Sequence, residues 1–283
     1  MRKRKFMAML VVATGFVFCG TSCTADFASA TDSALATTAS DEAQAAILNN
    51  EVINEADQYV NTAANAGYMG VKSTETASQP TITISVKDSV TFPKTIVIDF
   101  GTTGFIGKRG NVLKGKLIVE ISDRMWKANA SKKITFDNFS VNDKKISGSK
   151  TVTNKGLNAS NHPYWTISVS DTITRTDGTQ VIWNSERTRE RIDNGGTPLI
   201  LADDKYSISG SSNGVNAKGK AYTMTIDESN PLIVYSNYPH FVQGAVTITS
   251  ETKTAVLDYG IGTKDNKATV TINGKTKNIT LKN

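Results

Sequence analysis

Beyond the basic residues 2–5, three arginines at alternating positions form the densest group of like charges in the sequence. Residues 186–191 read Glu-Arg-Thr-Arg-Glu-Arg. Because side chains alternate between the two faces of a β-strand, a strand here would place Arg187, Arg189 and Arg191 on one face. Guanidinium groups bind carboxylates, sulfates and phosphates through paired hydrogen bonds, so this face could hold an anionic glycan or lipid. A solvated face with cross-strand ion pairs is the other interpretation.

The neighbours of these arginines depend on the turn at Asp177-Gly178, a dipeptide typical of β-hairpins. A two-residue turn places Arg187 opposite Ser168, on a face that also carries Trp183. A turn with one extra residue shifts the register by one and exchanges these partners.

Two loops combine a histidine with a proline and aromatic side chains. They read Asn161-His162-Pro163-Tyr164-Trp165 and Tyr238-Pro239-His240-Phe241. Tyr164 and Tyr238 could stack on sugar rings if both loops lie at the same end of the fold, whereas interior packing is the alternative, especially for Trp165. Two histidines without identifiable partners do not make a metal site, and the sequence predicts neither a metal ion nor a cofactor.

Two near-matches to catalytic motifs lie where the chain continues as a strand instead of a helix. Residues 110–117 spell a phosphate-binding P-loop except that Leu117 replaces the hydroxyl that holds Mg²⁺. Residues 210–214 match the nucleophile elbow of serine hydrolases, with Asp227 and His240 following in the usual order. We expect both segments to be turns that begin or connect strands. The sequence therefore predicts no catalytic residue, with a hydrolase as a remote alternative.

The N-terminus carries an export signal that ends at a cysteine. Four basic residues at 2–5 precede an apolar stretch, Phe6 to Cys19, and then Gly20-Thr21-Ser22-Cys23. The stretch is shorter than the roughly 20 residues that span a bilayer and fits a signal peptide over residues 1–22. Its end resembles the lipobox of bacterial lipoproteins, which implies acylation of Cys23, with Cys19 as a weaker second candidate. Ordinary signal cleavage nearby and an uncleaved anchor are the alternatives.

Loss of this signal changes the charge of the protein. The chain has 283 residues, 32 Lys and Arg against 26 Asp and Glu, and a formal charge of +6. The four basic residues leave with the signal, so the mature chain carries 28 basic and 26 acidic groups. A nearly balanced charge argues against nucleic acid as a partner. Cys23 would be the only remaining cysteine, so the mature chain would have no internal disulfide.

Behind the anchor, the sequence predicts a tether, a helix and a long β region. Residues 23–40 are rich in Ala, Ser and Thr and predict a flexible tether. Residues 41–67 predict a helix, capped by Asp41 and Gln44, that is either a stalk or packed on a sheet edge, and 68–79 a linker. From 80 to 283, short runs alternate apolar and polar residues. We therefore expect a mainly β fold, an antiparallel meander forming a large twisted sheet, a sandwich or a barrel, with one N-terminal helix.

Several groups of residues in the β region together carry a resemblance. They are Ile98–Gly101, Gly110–Lys116, Thr172–Arg175 with Asp177–Thr179, Trp183–Ser185 with Arg187–Arg189, Leu257–Gly260, and Asp265–Ala268 with Asn273–Lys275. With the lipobox, they resemble a group of uncharacterised envelope lipoproteins of Bacteroidota-type bacteria. The resemblance implies secretion, lipid anchoring and an extended β-sheet, and it carries over no catalytic residue. It also implies a family cysteine where Lys264 stands here.

These features predict a lipid-anchored protein of the cell envelope, attached to the outer membrane, whose β domain binds or supports other components and is not an enzyme. Its predicted partners are membrane lipid through acylated Cys23, and a glycan or another envelope protein. The domain faces either the periplasm or the cell surface. A glycan-capture accessory lipoprotein is the alternative. Its ligand surface would comprise Arg187, Arg189, Arg191, Trp183, Tyr164, Tyr238 and His240.

Overall fold

A computed structural model describes residues 30–65, 80–86, 88, 90–196 and 203–281. The predicted signal peptide, Cys23 and the linker 68–79 lie outside these residues. One helix, α1 (Ala30–Asn65), precedes the strands. The strands are β1 (Thr81–Ile84), β2 (Lys94–Asp99), β3 (Phe105–Ile106), β4 (Val112–Ile121), β5 (Ser131–Val141), β6 (Lys144–Leu157), β7 (Pro163–Thr174), β8 (Gln180–Asp193), β9 (Lys205–Val215), β10 (Ala221–Ile226), β11 (Leu232–Tyr235), β12 (Gln243–Ser250), β13 (Lys253–Ile261), β14 (Lys267–Ile272) and β15 (Lys275–Thr280).

These fifteen strands form one antiparallel sheet in the described part of the chain. Strands that are consecutive in sequence are neighbours along most of it, in the order β1-β2-β4-β5-β6-β7-β8-β9-β10-β12-β13-β14-β15. The short strand β3 pairs with β4, and β11 bridges β9 and β12. The predicted mainly β fold, an antiparallel meander with one N-terminal helix, is confirmed.

The helix lies inside the curve of the sheet. It contacts β1, β2 and β4 from one end of the strand order, β8 from the middle, and β12, β13 and β14 from the other end. Between residues 32 and 60, Ser33 and Ser40 are the only side chains that are exposed. A helix can be covered on all its faces in this way only if the sheet wraps around it. The predicted placements, a stalk or a position on the sheet edge, are therefore wrong.

The helix also begins earlier than its sequence predicts. It starts at Ala30 and not at Asp41, so the part of the predicted tether from 30 to 40 is helical. Alanine has the highest helix propensity, and its small side chain lets strands approach the helix closely. Thr37 and Thr38 donate their hydroxyls to carbonyls one turn earlier, at 3.0 and 3.1 Å. Because all faces are buried, the helix lacks the single apolar stripe that marks a surface helix.

Glycines inside two strands permit the sheet to bend. Gly148 in β6 and Gly210 in β9 have φ angles of 117° and 119°, a conformation that side chains strongly disfavour. A Cβ on Gly148 would lie 2.1 Å from the carbonyl oxygen of Ser170, and one on Gly210 would lie 2.2 Å from that of Glu186. Glycines at such positions are a usual means of curving a sheet, and here the curve encloses the helix.

The turn between β7 and β8 decides which way the arginines point. The loop 175–179 is closed by a backbone hydrogen bond of 2.9 Å between its first and last residues, so three residues form the turn. As a result Arg187 lies opposite Ile167, and Arg189 lies opposite Trp165. The register of a two-residue turn is wrong, and the register shifted by one residue is confirmed. The arginines consequently share the inner, apolar face of the sheet.

Candidate functional site

The arginines of β8 project toward α1. Arg187 is 8% exposed, Arg189 is 5% exposed, and Trp183 on the same face is 1% exposed. A solvent-exposed arginine face, with or without a ligand, is therefore a wrong prediction for this part of β8, because the register joins it to the core. Arg191 is half-buried near the end of the strand, with Nη1 at 3.6 Å from Oδ2 of Asp204.

One helix carboxylate, Glu42, accepts hydrogen bonds from three strands. Its Oε1 accepts from Nη2 of Arg187 at 3.0 Å. Its Oε2 accepts from Nε1 of Trp183 at 2.7 Å, Oγ of Ser212 at 2.9 Å and the hydroxyl of Tyr222 at 3.0 Å. The Arg187 guanidinium also lies 4.9 Å from the centre of the Trp183 ring. A buried carboxylate is tolerated when it is paired and fully hydrogen-bonded, and Glu42 meets both conditions.

Contacts of the same kind repeat along the helix. Each joins a helix acid to a base from the surrounding β region, and most of these side chains are largely buried. The pairs are Asp32 with Lys253 (2.8 Å), Asp41 with Arg175 (2.5 Å), Glu51 with Arg109 (2.9 Å) and Asp57 with Lys132. The predicted cap residue Asp41 is thus a buried ion-pair partner in the middle of the helix. Lys150 of β6 adds a contact to Asn49 and pairs with Asp171.

A second group of titratable side chains surrounds Glu51 and Glu55, about three helical turns beyond Glu42 along α1. Arg109 donates to Glu51 at 2.9 Å and to the carbonyl of Ser236 at 2.9 and 2.7 Å. Burial, and then the charge of Glu51, raise the pKa of the Glu55 carboxyl to about 7, against the opposing effect of Arg109. Burial, and then the charge of Arg109, lower the pKa of His240. Shifted pKa values occur at catalytic sites and in structural networks alike; here the group joins the helix to two loops.

A small cavity lies between α1 and strands β7, β8 and β9. Its volume is about 20 Å³, enough for a single water-sized particle. Most of its lining is apolar, including Ile53, Ile167 and Phe241, and its polar lining includes Asn50, Arg187 and Arg189.

The two predicted aromatic loops lie at separate strands of the sheet. The strands β8 and β9 separate Tyr164, in β7, from Tyr238, which follows β11, so roughly 14 Å of sheet lies between them at the usual strand spacing. His240 is buried beside Tyr238, with ring centres 5.8 Å apart. Trp165 packs edge-on against Tyr206 at 6.1 Å, which fits the interior alternative.

An exposed tryptophan lies in a loop bonded to β6 and is not among the site residues predicted from the sequence. Trp126, in the loop between β4 and β5, is 67% exposed. Asn154 of β6 donates to the carbonyl of Met125 at 2.9 Å and thereby holds this loop beside the end of β6. Gly156, two residues on, pairs with Tyr164.

We name this region the Trp126 surface. It comprises Trp126, Leu157, His162, Tyr164 and Glu190. Leu157 is exposed, and Nδ1 of His162 lies 2.6 Å from Oε1 of Glu190. In the sequence, the feature that indicates this surface is Trp126, an aromatic residue in a polar loop between two strongly alternating strand patterns.

The near-matches to catalytic motifs lie largely in strands. Most of residues 110–117 belongs to β4, and residues 210–214 lie within β9. The elbow serine, Ser212, is buried and donates to Glu42. Within the described residues, no three His, Cys, Asp or Glu side chains are grouped in a way that could hold a metal ion, and no helix is long and apolar enough to cross a membrane.

Comparisons with models of protein families, with curated proteins and with solved structures gave no match.

We predict that Glu42→Gln destabilises the fold strongly, because it leaves Arg187 buried without its counter-charge. Removing one partner of a buried ion pair lowers the free energy of unfolding by about 3 to 5 kcal/mol. Urea denaturation of the full chain measures this. Glu251→Gln is the matched control, since it removes a carboxylate from an exposed pair with Lys220 at 2.8 Å, and such pairs contribute little. Equal effects of the two substitutions would contradict the role of Glu42.

Glu55 makes stability depend on pH. Its pKa of about 7 in the folded protein is above the ordinary value of 4.5, so the folded state binds this proton more tightly than the unfolded state. The contribution of Glu55 to the free energy of unfolding is therefore complete below pH 4.5 and is lost as the pH rises to about 7. The two limits differ by about 3 kcal/mol. We expect Glu55→Gln to gain stability relative to the wild type between pH 5 and pH 8, as measured by urea denaturation at both pH values. A constant difference would show that Glu55 has an ordinary pKa.

Proposed function

We propose that this chain is a lipoprotein of the bacterial cell envelope, attached to the outer membrane through acylated Cys23, whose β domain has a binding or structural role and no catalytic one. The observation that carries the proposal is that its charged and polar side chains are used inside the fold. Those that could have formed a reactive or ligand-binding surface, such as Arg187, Ser212 and Glu42, instead bond the helix to the sheet. The outer face and the loops then remain for contacts with partners.

The position of α1 supports a location close to the bilayer. Six residues, 24–29, separate Cys23 from the start of the helix at Ala30. A fully extended chain covers at most about 3.6 Å per residue, so the anchor can lie no more than about 25 Å from the helix. The tether predicted from the sequence, 23–40, would have allowed more than twice that distance.

In this proposal, the end of the domain that lies near the membrane is the end where α1 begins. The first turns of α1 contact Lys253 and Asn273 through Asp32, and contact Asn216 through Thr38. Near this end are three exposed lysines: Lys218, Lys220, which pairs with Glu251, and Lys275 at the start of β15. Lysines at such an end are attracted to anionic headgroups, and this attraction would add to the hold of the acyl chains.

Substitution of Cys23 tests the anchor. We expect Cys23→Ser to abolish incorporation of labelled palmitate and to move the protein from the membrane fraction to the soluble fraction, because the thiol is the acylated group. Cys19→Ser is the matched control and should keep both the label and the membrane location. A wild-type chain that takes up no palmitate would refute the lipoprotein proposal.

Glycan capture is a second candidate, and the Trp126 surface favours it. Trp126 and Tyr164 offer aromatic faces for sugar rings, with the pair His162 and Glu190 beside them for hydroxyl groups. This candidate does not involve the arginines of β8, which lie inside the protein.

A glycan array probed with the full chain in detergent tests this candidate. We expect Trp126→Ala to weaken binding at least tenfold, because an exposed tryptophan at the centre of a contact contributes strongly to affinity. Ile261→Ala, which removes another highly exposed apolar side chain, should leave binding unchanged. If the wild-type chain binds no glycan, glycan capture is excluded.

A further inference from the structure

Three nitrogen donors without partners belong to side chains that line the cavity between α1 and β7 to β9. They are Nδ2 of Asn50, Nε of Arg187 and Nε of Arg189, and none of them makes a hydrogen bond within the described part of the chain. The three side chains are 6%, 8% and 5% exposed. A buried donor without a partner is unfavourable, and more so when it is charged. Three such donors around one small cavity indicate a group that accepts from all of them.

The charges around the cavity do not balance. Arg187 is matched by Glu42 at 3.0 Å. Arg189, in contrast, donates to the neutral side chain of Asn54 at 3.0 Å and lies 3.6 Å from the centre of the Tyr206 ring. No ion pair found among the described residues includes Arg189.

The nearby acids are already engaged. Asp57 pairs with Lys132. Asp204 accepts from the hydroxyl of Tyr206 at 2.6 Å and lies 3.6 Å from Arg191. Arg189 therefore has no ion pair of its own among the described residues, and an acid that interacts with its charge is Asp204, whose Oδ1 makes no hydrogen bond.

An anion suits this lining better than a water molecule. A water molecule accepts two hydrogen bonds and has two hydrogens that need acceptors. The unpartnered groups here are three donors, and the rest of the lining is mainly apolar. A spherical anion accepts from all three nitrogens, donates nothing, and neutralises Arg189.

The size of the cavity is compatible with a small anion. Its volume of about 20 Å³ leaves room for one small particle. We propose that Asn50, Arg187 and Arg189 form an internal site for a single chloride ion. The ion links α1 to β8 in the same way as the carboxylate of Glu42 does, and the stability of the fold then depends on chloride. The proposal is independent of the function proposed above.

Thermal unfolding of the full chain in detergent tests the site. Chloride, and separately bromide, replaces gluconate at constant ionic strength, and the midpoint of unfolding is recorded. A ligand that binds only the folded state raises the midpoint, by roughly 5 °C at a hundredfold excess over its dissociation constant. Asn50→Asp supplies a carboxylate at the cavity, so this variant should show no response to either halide. Lys116→Gln, which removes an exposed cation paired with Asp99 at 3.4 Å, should respond like the wild type.

A bromide-grown crystal of the wild-type protein provides a readout that does not depend on any variant folding. We expect an anomalous peak within hydrogen-bond distance of the three nitrogens. A water molecule at that place in the presence of bromide would overturn the proposal. So would a midpoint that does not respond to halide, or an equal response of the wild type and Asn50→Asp, since the ions would then act elsewhere.

Discussion

A helix enclosed on all sides needs partners for the charged groups it carries, and this constraint governs the rest of the structure. α1 places acids and amides in the core, and the inner face of the sheet supplies bases and hydroxyls that bond to them. Glu42, with its four donors from β8, β9 and β10, is the fullest case. Because burial of an unmatched charge is so unfavourable, these contacts fix the position of the helix along the sheet as well as its rotation.

The inner face of the sheet therefore has a composition unusual for a β domain. Arg187, Arg189 and Lys150 occupy positions that would ordinarily be aliphatic, and each lies among apolar neighbours. Their engagement removes them from the surface, so partner contacts fall to the loops and the outer face. The same enclosure extends the helix back to Ala30, so that six residues lie between it and Cys23, the proposed point of attachment.

The sequence predicts the sheet well and the helix poorly, for a physical reason. Period-two alternation follows directly from strand geometry, so the strands and their antiparallel order could be predicted from local patterns. The direction of the arginines depended on a single additional turn residue at 176–178, and a local pattern cannot distinguish the two registers. Burial of α1 on every face left no apolar stripe to detect, so its enclosure, the bonds of Glu42 and the cavity at Asn50 follow only from the three-dimensional fold.

Hydrogen exchange of the backbone amides of α1 tests most directly whether helix and sheet form one cooperative unit. If the buried contacts hold the helix in the sheet, its central amides exchange only by global unfolding, with the same opening free energy as the slowest amides of β7 and β8. Helix amides that open with a free energy several kcal/mol below that of these strands would contradict the account, since the helix would then detach while the sheet remained folded.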